Sequence, residues 1–236
     1  MISKIKQEWK AYLSIQSFRI QFVFSLAGLV LLLVGLSRFL IFIENRNGSI
    51  LNDPILALFS PHDFTWLIFT IIYFSVIVTL FYLLDKPVQV LKGLQIYSLM
   101  IIFRIIAMYL IPLDPPSLMI ELNDPLVEII GGTGKTLTKD LFFSGHTATL
   151  FILYLVVEKK GFLKNFLLTA TLIIASLVLL QHIHYSIDVF TAFFISYTCF
   201  KIVTQINNKL MPEIRNYSQA HSVNKSHCKK ESRFDQ

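Results

Sequence analysis

Six apolar runs, each near the length of a membrane crossing, constrain this chain more than any other feature of its sequence. They lie at about 20–43, 64–84, 91–113, 142–157, 162–181 and 183–204. A helix needs ~20 mostly apolar residues to cross a hydrocarbon core. Length alone, 236 residues, would suit one or two soluble domains, but soluble domains do not repeat such runs. The composition agrees, at 54% hydrophobic and 15% charged. The sequence therefore predicts an all-α integral membrane bundle of six transmembrane helices.

The first run exceeds the ~7–15 residues of a signal-peptide core and no small-x-small cleavage site follows it, so it reads as a retained span. Upstream, Ile2, Ile5, Trp9, Tyr12 and Leu13 recur at helical spacing among Lys4, Lys6 and Lys10. That pattern predicts an interfacial helix, with a frayed polar tail as the alternative. The organisation expected is an N-terminal interfacial segment (1–19), a six-span membrane domain (20–204) and a polar, disordered cytoplasmic tail (205–236).

Basic residues set the orientation. With the N-terminus inside, sixteen Lys and Arg fall on the inner side, among them Lys86, Lys92, Lys159, Lys160, Lys164, Lys201 and those of the tail. Three (Arg46, Lys135, Lys139) fall outside, and Arg38 and Arg104 lie within spans. This bias places both termini in the cytoplasm. The net charge of +6 then reflects topology and anionic lipid. No basic face interleaved with aromatics supports a nucleic-acid partner. Cys199 and Cys228 form no disulfide framework.

Two short strings carry chemistry: Ser144-Gly145-His146-Thr147 and His184-Tyr185-Ser186-Ile187-Asp188. The topology puts both histidines at the outer ends of neighbouring helices, joined through a tight inner hairpin at Glu158–Gly161. If His184 lies on a helix, Asp188 shares its face one turn away and fixes its ring. Two histidines, one oriented by an acid, are the minimum for passing a phosphoryl group through a phosphohistidine. Arg104, inside a span, needs a partner. A substrate phosphate fits that need, as does an ion pair with Asp140 or Asp188.

These residues resemble a known family. Asp140-Leu-Phe-Phe-Ser144-Gly145-His146-Thr147 is similar to the D-x-x-x-S-G-H-T segment of sphingomyelin synthases, a branch of the PAP2-like lipid phosphatase and phosphotransferase superfamily. His182-Ile183-His184-Tyr185-Ser186-Ile187-Asp188-Val189 looks like their H-x-H-Y-[ST]-x-D-V segment. Arg104-Ile-Ile-Ala-Met108-Tyr109, followed by the proline-rich Pro112–Pro116, resembles their R-x-x-x-M-Y segment. The three motifs occur in order across roughly residues 95–200.

The resemblance implies a membrane enzyme that moves a phosphocholine- or phosphoethanolamine-type headgroup from a phospholipid donor to a lipid hydroxyl such as ceramide. His184 would be the nucleophile, Asp188 its orienting acid and His146 the general acid and base. Arg104, Asp140, Ser144, Gly145 and Tyr185 would line the substrate site, on the extracytoplasmic or luminal side. No metal or other cofactor is implied, because His and Arg charges neutralise the phosphorane. Hydrolysis by the same residues, as in a lipid phosphatase or phospholipase C, is the neighbouring reading. A non-enzymatic transporter or haem-binding protein is the competing class.

Departures from the wider superfamily narrow this. Its phosphatases carry K-x6-R-P and S-R-x5-H, whereas this chain has no Arg-Pro dipeptide and places Leu177 and Val178 where the Ser-Arg pair would stand. Fewer cations favour a diester over a dianionic monoester. Ile183 stands where animal synthases usually have an acid. For a cationic headgroup, Phe142, Phe143, Tyr185, Asp140, Glu121, Asp124 and Glu128 are candidates.

Weaker patterns read as structure. Gly131–Thr136 suggests a phosphate loop, but Ile129 replaces the required first glycine, so it reads as a glycine-rich outer turn. His182 with His146 and His184 forms a candidate metal or haem set that leaves the Ser-Gly and Asp188 unexplained. His62, near Asp53 and Asp63 in the first outer loop, reads as a solvated loop histidine.

Overall fold

The structure, a computed structural model, describes residues 2–123 and 137–210. Those residues form seven α-helices: α1 (Ile2–Leu13), α2 (Gln16–Glu44), α3 (Thr65–Leu83), α4 (Pro87–Leu110), α5 (Gly145–Val156), α6 (Phe162–Leu180) and α7 (Ser186–Leu210). No strand occurs among them. Five of the helices, α2, α3, α4, α6 and α7, are long and apolar enough to cross a membrane. The Gly131–Thr136 turn, Asp124, Glu128 and the tail beyond 210 lie outside the described residues.

Helix α5 differs from the expected span at 142–157. With 12 residues it is about 18 Å long, short of a ~30 Å core. Leu141, Phe142 and Phe143 are apolar enough to extend it, but residues 140–144 stay irregular and spend peptide groups elsewhere. The Ser144 N–H donates to the Asp188 carbonyl at 3.2 Å, and the Phe143 carbonyl accepts from Arg104. The helix therefore starts at Gly145, with Ser144 as its side-chain N-cap on the Thr147 N–H.

Short as it is, α5 is the centre of the bundle, packed against α3, α4, α6 and α7. One face joins Ile96, Met100 and Ile101 of α4 to Ala148, Ile152 and, across the centre, Ala192 and Cys199 of α7. Its other face, at Leu150, packs with Ile68 and Ile72 of α3 and Ala170, Ile174 and Val178 of α6. Helix α2 lies outside, chiefly against α4. Phe24 and Leu31 there keep 74% and 72% of their surface exposed, as a helix bathed in lipid does.

The N-terminal segment is helical, as α1, and docks on the α3–α4 corner. Trp9 Nε1 donates to the Leu84 carbonyl at 2.7 Å, Lys4 pairs with Asp85, and Trp9 meets Phe22 edge-on at 5.2 Å.

At the opposite end, three connections are stitched together. Ser49 pairs with Leu113 as an isolated bridge, the His62 N–H donates to the Leu180 carbonyl, and the Ile120 N–H donates to the Gln181 carbonyl. The Gln181 side chain, fully buried, accepts from the Phe64 N–H at 2.9 Å and donates to Thr65 Oγ1 at 2.9 Å. This polar knot closes the bundle end that holds both histidines.

Candidate active site

His146 lies in the first turn of α5, immediately after the capped Ser144-Gly145 start. His184 lies just before α7, whose first residue is Ser186. This corrects the expectation that His184 and Asp188 share a helical face, since the ring belongs to the connection and only the acid to the helix. They still meet: His184 Nδ1 is 3.5 Å from Asp188 Oδ2, with the two side chains 1% and 0% exposed. The reason is helix capping. Asp188 Oδ2 reaches back to accept the Tyr185 N–H at 3.0 Å, as the third residue of a capping box does. That hydrogen bond folds the connection over the helix end and lays His184 against the carboxylate.

The histidine rings face each other, with centroids 6.0 Å apart and planes inclined at 59°. The Ser144 N–H bond to the Asp188 carbonyl ties the two segments directly. Phe69 of α3 packs edge-on against His146 at 6.1 Å.

Arg104, 4% exposed, reaches the same place from α4. Its Nη2 donates to Asp140 Oδ1 at 2.6 Å, and its Nη1 donates to the Phe143 carbonyl. Of the two carboxylates considered for it, Asp140 is the one it meets. Burial pushes the Asp140 carboxyl up, and the Arg104 charge and hydrogen bond more than offset this, holding it below its ordinary value. Gly145 makes the approach possible. A Cβ there would stand 2.7 Å from Arg104 Nη1 and 2.9 Å from Cζ.

His146, His184, Asp188, Ser144, Gly145, Arg104 and Asp140 thus converge at one end of the bundle. Tyr185 is present too, but its hydroxyl is committed to the loops. It donates to the Asp114 carbonyl at 2.9 Å and accepts from the Leu51 N–H at 3.2 Å. His182 is buried, held at φ 55°, and packs edge-on against Phe59 at 5.5 Å. His62 stays in the exposed loop, its Nδ1 2.9 Å from the Ser60 carbonyl oxygen. Glu121 is exposed. Among the described residues, no group of three His, Cys, Asp or Glu is arranged to hold a metal ion.

Sequence reasoning missed Asp53. Its Oδ2 accepts from the Ser186 N–H at 2.6 Å and from Ser186 Oγ at 2.7 Å. Its Oδ1 accepts from the Ile55 N–H at 2.9 Å and the Leu56 N–H at 3.3 Å. An acid in a loop next to a proline reads as a turn residue, and nothing in its own neighbourhood announces a partner far along the chain.

No curated protein matches the chain. Residues 139–206, which carry both histidine strings, match the family model described as the PAP2 superfamily C-terminal domain. That match supports a place for this membrane-embedded helical chain in the PAP2-like superfamily, and with it lipid phosphatase or phosphotransferase-type chemistry.

Proposed function

We propose that this protein transfers a phosphorylated headgroup from a glycerophospholipid to a lipid hydroxyl, through a phosphohistidine at His184. The observation that carries the reading is the facing pair of histidines, His184 buried and His146 half-buried, 6.0 Å between centroids, with Asp188 behind His184. A carboxylate 3.5 Å from Nδ1 favours the tautomer with its proton on Nδ1, which leaves the Nε2 lone pair for attack.

In the first half-reaction Nε2 bonds to phosphorus and the bond from phosphorus to the diacylglycerol oxygen breaks. Protonated His146 gives its proton to that oxygen. Diacylglycerol leaves as the neutral alcohol. In the second half-reaction neutral His146 takes the proton of the acceptor hydroxyl, whose oxygen attacks phosphorus. The P–N bond breaks and its electron pair returns to Nε2. Asp188 balances the imidazolium charge of the intermediate, and Arg104 turns from Asp140 to the phosphoryl oxygens. General acid catalysis of this kind supplies ~10²–10⁴ in rate. The chemistry needs no cofactor.

The sphingomyelin-synthase-like motifs favour ceramide or a similar acceptor and a phosphocholine or phosphoethanolamine donor. The basic residues favour six crossings, with α5 and its flanking residues as the fourth, cytoplasmic termini and a site on the extracytoplasmic or luminal side.

The test is purified protein in liposomes with a headgroup-labelled phospholipid, with and without ceramide, read by lipid mass spectrometry beside His184→Ala. Label on ceramide, dependent on His184, is the expected result. Label released to water regardless of ceramide would make the protein a hydrolase. No turnover, or a Soret band in the purified protein, would overturn the enzyme reading.

A further inference from the structure

The first connection, residues 45–64, lies far from both histidine strings in sequence, yet it holds the turn that carries His184. Asp53 is the clasp. One carboxylate oxygen takes both the N–H and the hydroxyl of Ser186, at 2.6 and 2.7 Å. The other takes the N–H groups of Ile55 and Leu56, so the acid is fixed in its own loop by the short helical turn Leu56–Leu58. Two residues earlier, Leu51 donates its N–H to the Tyr185 hydroxyl. The loop therefore grips both residues that follow His184.

The grip acts at a helix N-terminus. The first N–H groups of α7 have no partner within the helix. Asp188 serves the Tyr185 N–H from within, and Asp53 serves the Ser186 N–H from another segment. Two carboxylates share the positive end of one helix. They satisfy adjacent peptide groups, so the backbone on either side of Tyr185 is held at both points. The His184 ring hangs from that backbone, and its 3.5 Å approach to Asp188 depends on where the turn sits.

We propose that Asp53 is a positioning residue for the phosphotransfer reaction: by clasping Ser186 it fixes the turn that seats His184 against Asp188. The proposal rests on the phosphohistidine reading. It gives the first connection a role in the rate of attack, separate from lipid binding. Burial pushes the Asp53 carboxyl up, while the Ser186 and loop hydrogen bonds outweigh this and hold it below its ordinary value, so the clasp is ionised at neutral pH.

The experiment measures phosphoenzyme formation in single turnover, with full-length protein in liposomes, labelled phospholipid and no acceptor. Asp53→Ala should slow formation about 10–100-fold, the scale of misplacing a reactive group by about an ångström, with donor half-saturation within about twofold of wild type. Ser186→Ala keeps the backbone N–H bond and should lose less, about 3–10-fold. The double variant should be no slower than Asp53→Ala alone, because both changes break one contact. If Asp53→Ala does not insert stably, Asp53→Asn, which keeps one acceptor oxygen, takes its place in the same cycle. Wild-type rates in the Asp53 variant, an effect confined to half-saturation, or additive losses would overturn the proposal. A wild-type protein that forms no label on His184 would instead sink the phosphohistidine reading beneath it.

Discussion

Gly145 lies against the guanidinium of Arg104, so close that a Cβ at that position would stand 2.7, 2.9 and 3.0 Å from Nη1, Cζ and Nη2. The Arg104 side chain can swing aside, so Gly145→Ala should leave the fold intact. Its guanidinium would then leave Asp140 and the Phe143 carbonyl. We expect a turnover loss of about 10–100-fold with a melting temperature within a few degrees of wild type. Gly28→Ala, in α2 with nothing within 4 Å, is the control and should change neither. Full activity in Gly145→Ala would separate Arg104 from the reaction.

Asp188→Asn tests the acid behind the proposed nucleophile, His184. Asparagine can still accept the Tyr185 N–H and so preserves the cap, but its amide carries no charge to stabilise the proposed phosphorylated His184. The expected result is a drop in turnover of about 10² or more, with membrane insertion unchanged. Near-full activity would remove the orienting role.

A structural counterpart lies in the loops. At Gly48 a Cβ would meet the Leu113 carbonyl carbon at 2.4 Å and the Asp114 nitrogen at 2.5 Å. These are backbone atoms and cannot swing away. Gly48→Ala should force Ser49 off its bonds to Pro112 and Asp114. A destabilisation of about 1–3 kcal/mol, read as a lower melting temperature, should follow. A variant as stable as wild type would show that the two loops do not depend on each other.

The docking of α1 should respond to acid. The Lys4 hydrogen bond, opposed by partial burial and helped by Lys86, holds the Asp85 carboxyl down at about 2. An unfolded aspartate titrates near ~3.9. The stabilisation is therefore complete above about pH 4 and is lost as pH falls through about 2. In a Trp66→Phe background, Trp9 fluorescence should report undocking over that window. Asp85→Asn should abolish the transition, and an unchanged acid transition in that variant would assign it elsewhere.

Orientation has its own test. In a Cys199→Ala, Cys228→Ala background, a cysteine replacing Asn47 should react with an impermeant maleimide from outside intact cells. One replacing Lys160 should react only after permeabilisation. The reverse pattern would invert the assignment.

The long helices were legible because hydropathy is local: the runs around 64–84 and 162–181 became α3 and α6 nearly residue for residue. The run at 142–157 misled because composition does not reveal where peptide groups go. Leu141 to Phe143 are apolar, yet their backbone stays out of the helix that begins at Gly145. The histidine strings were readable as spaced residue types, and the pairing of His184 with Asp188 was foreseen for a different geometric reason. Asp53 and Gln181 escaped because each acts across more than a hundred residues, and such a contact leaves no period or spacing in the chain.

The hydrogen bond from the Ser144 N–H to the Asp188 carbonyl bears on the order of events. It ties the segment bearing His146 to the helix bearing Asp188, so in the proposed reaction the two histidines would hold their mutual distance. For the transfer proposed above, the headgroup stays on the protein while its two lipid owners take turns beside it, the first departing sideways into the bilayer before the second arrives. Exchange between lipids would then be limited by lateral traffic at the mouth of the bundle, and crowding the membrane with diacylglycerol would obstruct the acceptor by occupying its place.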